Sequence, residues 1–107
     1  MNPRCFRVNA QDNVATMLED GDGVADILGE KPGRIQLTER IQLGHKVALH
    51  AISAGEPIVK FGVAIGRATK DIRAGDWVHL HNCASNFDER SQTFDVNSGA
   101  TTDTKYE

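Results

Sequence analysis

An all-β domain is the fold class this sequence predicts, and three observations carry it. Short runs alternate between apolar and polar residues with a period of two, no run sustains an amphipathic helix beyond two turns, and a glycine-centred turn phrase recurs along the chain. The chain has 107 residues, the size of one compact core. Hydrophobic residues make up 39% and charged residues 25%, so the composition is that of a soluble globular domain.

Taken in order, residues 6–8 and 14–18 alternate as short strands. Residues 24–28 could form a strand or a helical turn; strand is favoured because Gly29, Lys31-Pro32 and Gly33 end the run so soon. Strands are then expected at 34–37, at 46–51 with Val47 and Leu49 facing the core, at 63–68 and at 77–80. Glycine within 63–68 permits close approach of another backbone or a ligand. The turn phrase, apolar-x-x-Gly-acid-x-apolar, is read at residues 18–24 (LEDGDGV), 52–58 (ISAGEPI) and 72–78 (IRAGDWV). Gly supplies the positive φ, the acid bonds nearby backbone amides, and the flanking apolar residues anchor the turn. Residues 1–86 are therefore read as the domain and 87–107 as a polar tail or linker, with the aromatics Phe87, Phe94 and Tyr106 as the side chains that could dock on a partner.

The charge balance narrows the function. Twelve Lys and Arg against 15 Asp and Glu give a net charge of -3 with no basic stripe, which argues against a nucleic-acid partner. No apolar run approaches a membrane span, and the first residues lack a signal-peptide core, so a cytoplasmic protein without membrane contact is expected. Cys5 and Cys83 are far apart and form no C-x-x-C, so free thiols are expected.

Chemistry concentrates in the histidines, all four of which lie between residues 45 and 81. In a strand, Trp77, His79 and His81 would share one face, where paired imidazoles could ligate a divalent metal or hold an anionic substrate; equally, they could pack beside Trp77 and bond water. His45 and its neighbour Lys46 could form a carboxylate-binding pair, or His45 could simply bond a loop carbonyl at a strand start. Lys60 could pair with a substrate carboxylate or be a solvated edge lysine. There is no phosphate loop, nucleophile elbow or paired-carboxylate signature.

The phrases Asp12-Asn13-Val14-Ala15, Gly44-His45-Lys46-Val47-Ala48-Leu49, Lys60-Phe61-Gly62, Ile65-Gly66-Arg67-Ala68 and Val78-His79-Leu80-His81-Asn82, taken in order, resemble the N-terminal SAF domain of the altronate and galactarate dehydratase family. Related modules occur in the small subunit of sulfolactate sulfo-lyase. The resemblance implies a β-clip fold of short bent strands. It also implies hydro-lyase chemistry, in which water is eliminated from a sugar acid with iron or manganese as the divalent metal of the complete enzyme.

On that reading the chain is a small subunit or N-terminal domain, inactive alone, whose partner is a large catalytic subunit or domain; self-association stays open. A non-catalytic carbohydrate- or protein-binding SAF module is the alternative. The matched phrases carry over His45, Lys46, Lys60, His79, His81 and Asn82 as substrate-facing or metal-adjacent positions without assigning their individual roles. The candidates are His45 and His79 for catalysis, Lys46, Lys60, His81 and Asn82 for substrate binding, and His79 and His81 as metal ligands. Phe61 departs from the K-Y-G phrase by one hydroxyl, and residues 29–33 fit the pattern poorly.

Overall fold

The computed structural model describes residues 1–85, and all regular structure among them is β-strand. The strands are β1 (Arg4–Arg7), β2 (Val14–Met17), β3 (Val24–Gly29), β4 (Gly33–Gln36), β5 (Lys46–Ala48), β6 (Pro57–Lys60), β7 (Val63–Ala68), β8 (Trp77–Val78) and β9 (Cys83–Ser85). They form a six-stranded sheet in the order β4-β3-β1-β2-β5-β8 and a three-stranded sheet in the order β6-β7-β9. Every named pairing is antiparallel except β1 with β3. The tail expected at 87–107 lies outside the described residues.

Alternation along β2 and β5 places a core on each face of the larger sheet. Ala15 pairs with Val47 and belongs to one apolar cluster, with Cys5, Met17, Ala25, Ile27, Leu37, Ile41 and Leu49. Val14 pairs with Ala48 and belongs to the other, with Ile52, Ile58, Ala68, Ile72 and Val78. Burial of each large aliphatic side chain contributes about 1.5 to 3 kcal/mol, so both layers stabilise the fold. Neither Cys5 nor Cys83 is in a disulfide, and burial pushes the Cys5 thiol up to about 11.

The turn repeat is real, but one of its copies lies elsewhere. Residues 18–24 do not form it: Leu18 and Val24 are both exposed, so neither end is anchored, and Gly21 instead bridges Ile41. The matching copy is residues 41–47 (IQLGHKV). Ile41, Ile52 and Ile72 open the three turns and Val47, Ile58 and Val78 close them, all buried. The central glycines have φ of 87° (Gly44), 90° (Gly55) and 92° (Gly75). The backbone N–H groups of His45, Glu56 and Asp76 donate to the carbonyls of Gln42, Ser53 and Arg73 at 3.0, 2.9 and 3.0 Å. Where two copies have an acid, this one has His45.

Several strand boundaries differ from the expected ones. The run from 77 to 80 stops pairing after Val78, because residues 79–82 close into a turn; β6 and β9 carry too little alternation to be read. In β7 the expected close approach is found at Gly66, where a Cβ would collide with the Ala84 carbonyl of β9.

Candidate functional site

Three histidines from two distant segments meet around one indole. β8 pairs with β5, with Trp77 opposite Val47, which carries the indole beside His45 at the end of its turn. The Trp77 Nε1–H donates to His45 Nδ1 at 3.0 Å, and the ring centroids are 5.4 Å apart. His79 stacks on Trp77 at 5.1 Å with an interplanar angle of 14° and lies 5.4 Å from His45. His81 packs against the same indole at 4.9 Å. The fourth histidine, His50, is exposed and makes none of these ring contacts.

A turn, rather than a continuing strand, brings His79 and His81 to Trp77. Asn82 builds that turn: its side-chain amide donates to the Trp77 carbonyl at 2.9 Å, its side-chain oxygen accepts from the His79 N–H at 2.9 Å, and its backbone N–H donates to the His79 carbonyl at 3.1 Å. Asn82 is buried with its amide committed to the backbone, so it positions the imidazoles from behind.

A cleft of about 270 Å³ opens next to this cluster, lined by Arg40, Ile41, Gln42, His45 and Trp77. Sequence reasoning missed Arg40 and Gln42. The signal that would have found them is the turn copy at 41–47, which places them on either side of its opening residue. The Arg40 guanidinium is largely exposed at the cleft, with the Asp20 carboxylate 3.9 Å away as its partner.

The lysines form a second group on the opposite face of the sheet. Lys46 alternates away from His45 and Val47 and lies in the row of Thr16 and Val78, 8% exposed. The Lys60 ammonium sits 4.8 Å from the Phe61 ring centroid. Burial first, and then the neighbouring charge of Lys46, hold the Lys60 pKa below the usual lysine range, while Asp12 pulls it back. The expected pairing of His45 with Lys46 is thus divided by strand alternation.

Asp12 is the residue that sequence reasoning passed over. Fully buried, its carboxylate accepts from the backbone N–H groups of Asn9 (3.1 Å), Phe61 (3.0 Å) and Gly62 (2.8 Å). It clamps the β6–β7 hairpin tip, where Phe61 and Gly62 both have positive φ, and so sets the position of Lys60. Among the described residues no group of three or more His, Cys, Asp or Glu side chains is arranged to hold a metal ion.

The comparisons with known proteins agree with this architecture. A family model described as the altronate/galactarate dehydratase SAF domain matches residues 3–86. The chain is 35% identical over 84 residues to altronate dehydratase of Bacillus subtilis (strain 168), covering 78% of this chain and 17% of that protein. It is 36% identical over 88 residues to altronate dehydratase of Escherichia coli (strain K12), covering 81% and 17%. A further similarity, 42% over 50 residues, is to (2R)-sulfolactate sulfo-lyase subunit alpha of Paracoccus pantotrophus, covering 47% of this chain and 75% of that subunit. The chain thus spans about a sixth of the length of the dehydratases it matches. With the match running from the first strand to the last, this chain belongs to the altronate/galactarate dehydratase SAF domain family.

Proposed function

We propose that this chain is the N-terminal domain or small subunit of a sugar-acid hydro-lyase, and that its imidazole-bearing end forms one wall of a site completed by a large catalytic region. The observation that carries this reading is the convergence of His45, His79 and His81 on Trp77 beside an open cleft. Leu43 and Leu80, within two residues of these rings, are 61% and 58% exposed, as expected of a surface that another domain covers.

The chemistry fits such a division. Removing the proton beside a carboxylate builds negative charge on its oxygens, and hydrogen-bond donors or cations aimed at those oxygens lower the barrier. Imidazoles can donate in this way and can also exchange protons with a leaving hydroxyl near neutral pH. His79 and His81 supply at most two ligands, so iron or manganese, which the family reading supplies, would need the catalytic region to complete its coordination. The Lys46 and Lys60 ammonium groups, facing the other side, suit a carboxylate of the substrate or of that region.

The test is reconstitution from purified components. The chain combined with a catalytic region of this family is expected to dehydrate altronate or galactarate, and His79→Ala in the chain to lower the rate at least tenfold. Full activity of the catalytic region by itself would refute the proposal, and sugar-acid binding without any rate effect would favour a non-catalytic binding module.

A further inference from the structure

We infer that Trp77 is a positioning residue that fixes His45 as its Nε2–H tautomer, so that His45 meets the substrate as a hydrogen-bond donor and is not the base that removes a proton. The inference rests on the proposed reading of this end as a substrate wall, and it starts from the turn repeat. In two of the turns the acid folds back to cap its own turn: Glu56 accepts from Ser53 N–H at 2.9 Å and Asp76 from Arg73 N–H at 2.8 Å. His45 occupies the same place in the third turn, with the same backbone bond. Its side chain is released from capping and is held instead by the indole of Trp77.

An indole N–H can only donate, so the His45 Nδ1 that receives it at 3.0 Å must carry a lone pair. In the neutral ring the proton then sits on Nε2. A proton added to this ring would have to go to Nδ1, where it would face the indole N–H. His45 therefore has a donor to offer and no free lone pair. Trp77 is itself fixed, paired opposite Val47, stacked by His79 and held through its carbonyl by Asn82. Beside Arg40 and Gln42 in the cleft, such a donor suits an oxygen of a carboxylate or an enediolate.

Two measurements test this. Long-range ¹⁵N–¹H correlation spectra of the chain are expected to show His45 Nδ1 unprotonated and Nε2 protonated, and Trp77→Phe is expected to release the ring into a mixture of tautomers. A proton on Nδ1 in the wild-type chain would overturn the inference whatever the enzyme does. In the reconstituted enzyme, His45→Gln keeps both an acceptor for the indole and an N–H donor, and is expected to retain activity within about tenfold, while His45→Ala loses about 100-fold. If Gln is as damaging as Ala, the donor role is wrong. If Ala costs nothing, the reading of this end as a substrate wall fails, while the spectra still decide the tautomer.

Discussion

Replacing Asp12 tests whether one buried carboxylate organises the hairpin that carries Lys60. In Asp12→Ala three backbone donors, on Asn9, Phe61 and Gly62, lose their acceptor at once. An unsatisfied buried donor costs about 1 to 3 kcal/mol, but the turn at Phe61 is exposed enough for water to reach, which favours the low end. The sum is about 3 kcal/mol, a large share of the roughly 5 to 15 kcal/mol that holds a domain folded. With a urea m-value of about 1 to 1.5 kcal/mol/M, the unfolding midpoint should fall by about 2 to 3 M with m unchanged. Asp12→Asn separates the contributions. One carboxylate oxygen serves both Asn9 and Phe61 and the other serves Gly62 alone, so an amide keeps two bonds and sets its NH₂ against the Gly62 N–H. Its expected cost is about half that of Ala, roughly 1.5 kcal/mol. A midpoint shift under about 0.5 M for Ala, or equal losses for Ala and Asn, would refute the clamp.

Other consequences can be measured on the same chain. Gly75→Ala should cost well over the ~1 to 2 kcal/mol of a left-handed conformation, because its Cβ would strike the Gln36 carbonyl, whereas Gly55→Ala, at nearly the same φ in open space, should cost no more than that; equal urea midpoints would contradict the packing. Lys46→Met should raise the Lys60 pKa towards the ordinary lysine range, read by NMR titration of its ε-methylene, and no upward movement would mean that the two ammonium groups do not sense each other. Because the folded-state pKa of Lys60 is depressed, the unfolded chain binds that proton more tightly; its contribution to stability should rise with pH from the folded to the unfolded pKa, and Lys60→Met should flatten that rise. Cys5, buried and with its pKa raised to about 11, should resist iodoacetamide near pH 8 until urea unfolds the chain, as followed by mass spectrometry.

How much could be read in advance depended on whether a feature was local. The bounds of β7 were legible, since the expected run 63–68 is the strand found; the strand reading at β3 followed from the terminators at Gly29, Pro32 and Gly33. β9 was not legible, since Cys-Ala-Ser has no pattern of its own, and its strand state is imposed by β7, where Gly66 lets the Ala84 carbonyl in. The same division holds for the site. His79 and His81 declared themselves by spacing, although a turn and not a strand gathers them. The bond from Trp77 to His45 spans 32 residues and depends on β5 pairing with β8, which no local pattern encodes. Asp12 was hidden for a like reason: two of the three donors it satisfies lie 49 and 50 residues away.

The turn repeat explains why the decisive copy is the one that pattern matching overlooks. A template that demands an acid after glycine finds Glu56 and Asp76, because those carboxylates cap the turn, and it passes over His45. The backbone at 41–47 does not need the acid: Gly44 supplies the φ, Ile41 and Val47 the anchors, and the His45 N–H the closing bond. Only the cap on the Gln42 N–H is given up, a loss the other two turns show to be local. A position whose side chain the fold does not require is one that chemistry can occupy, and in this chain it holds the histidine that reaches the cleft. Where a repeat breaks its own rule while keeping its backbone, the departure frees a side chain, and the function proposed above uses the one freed here.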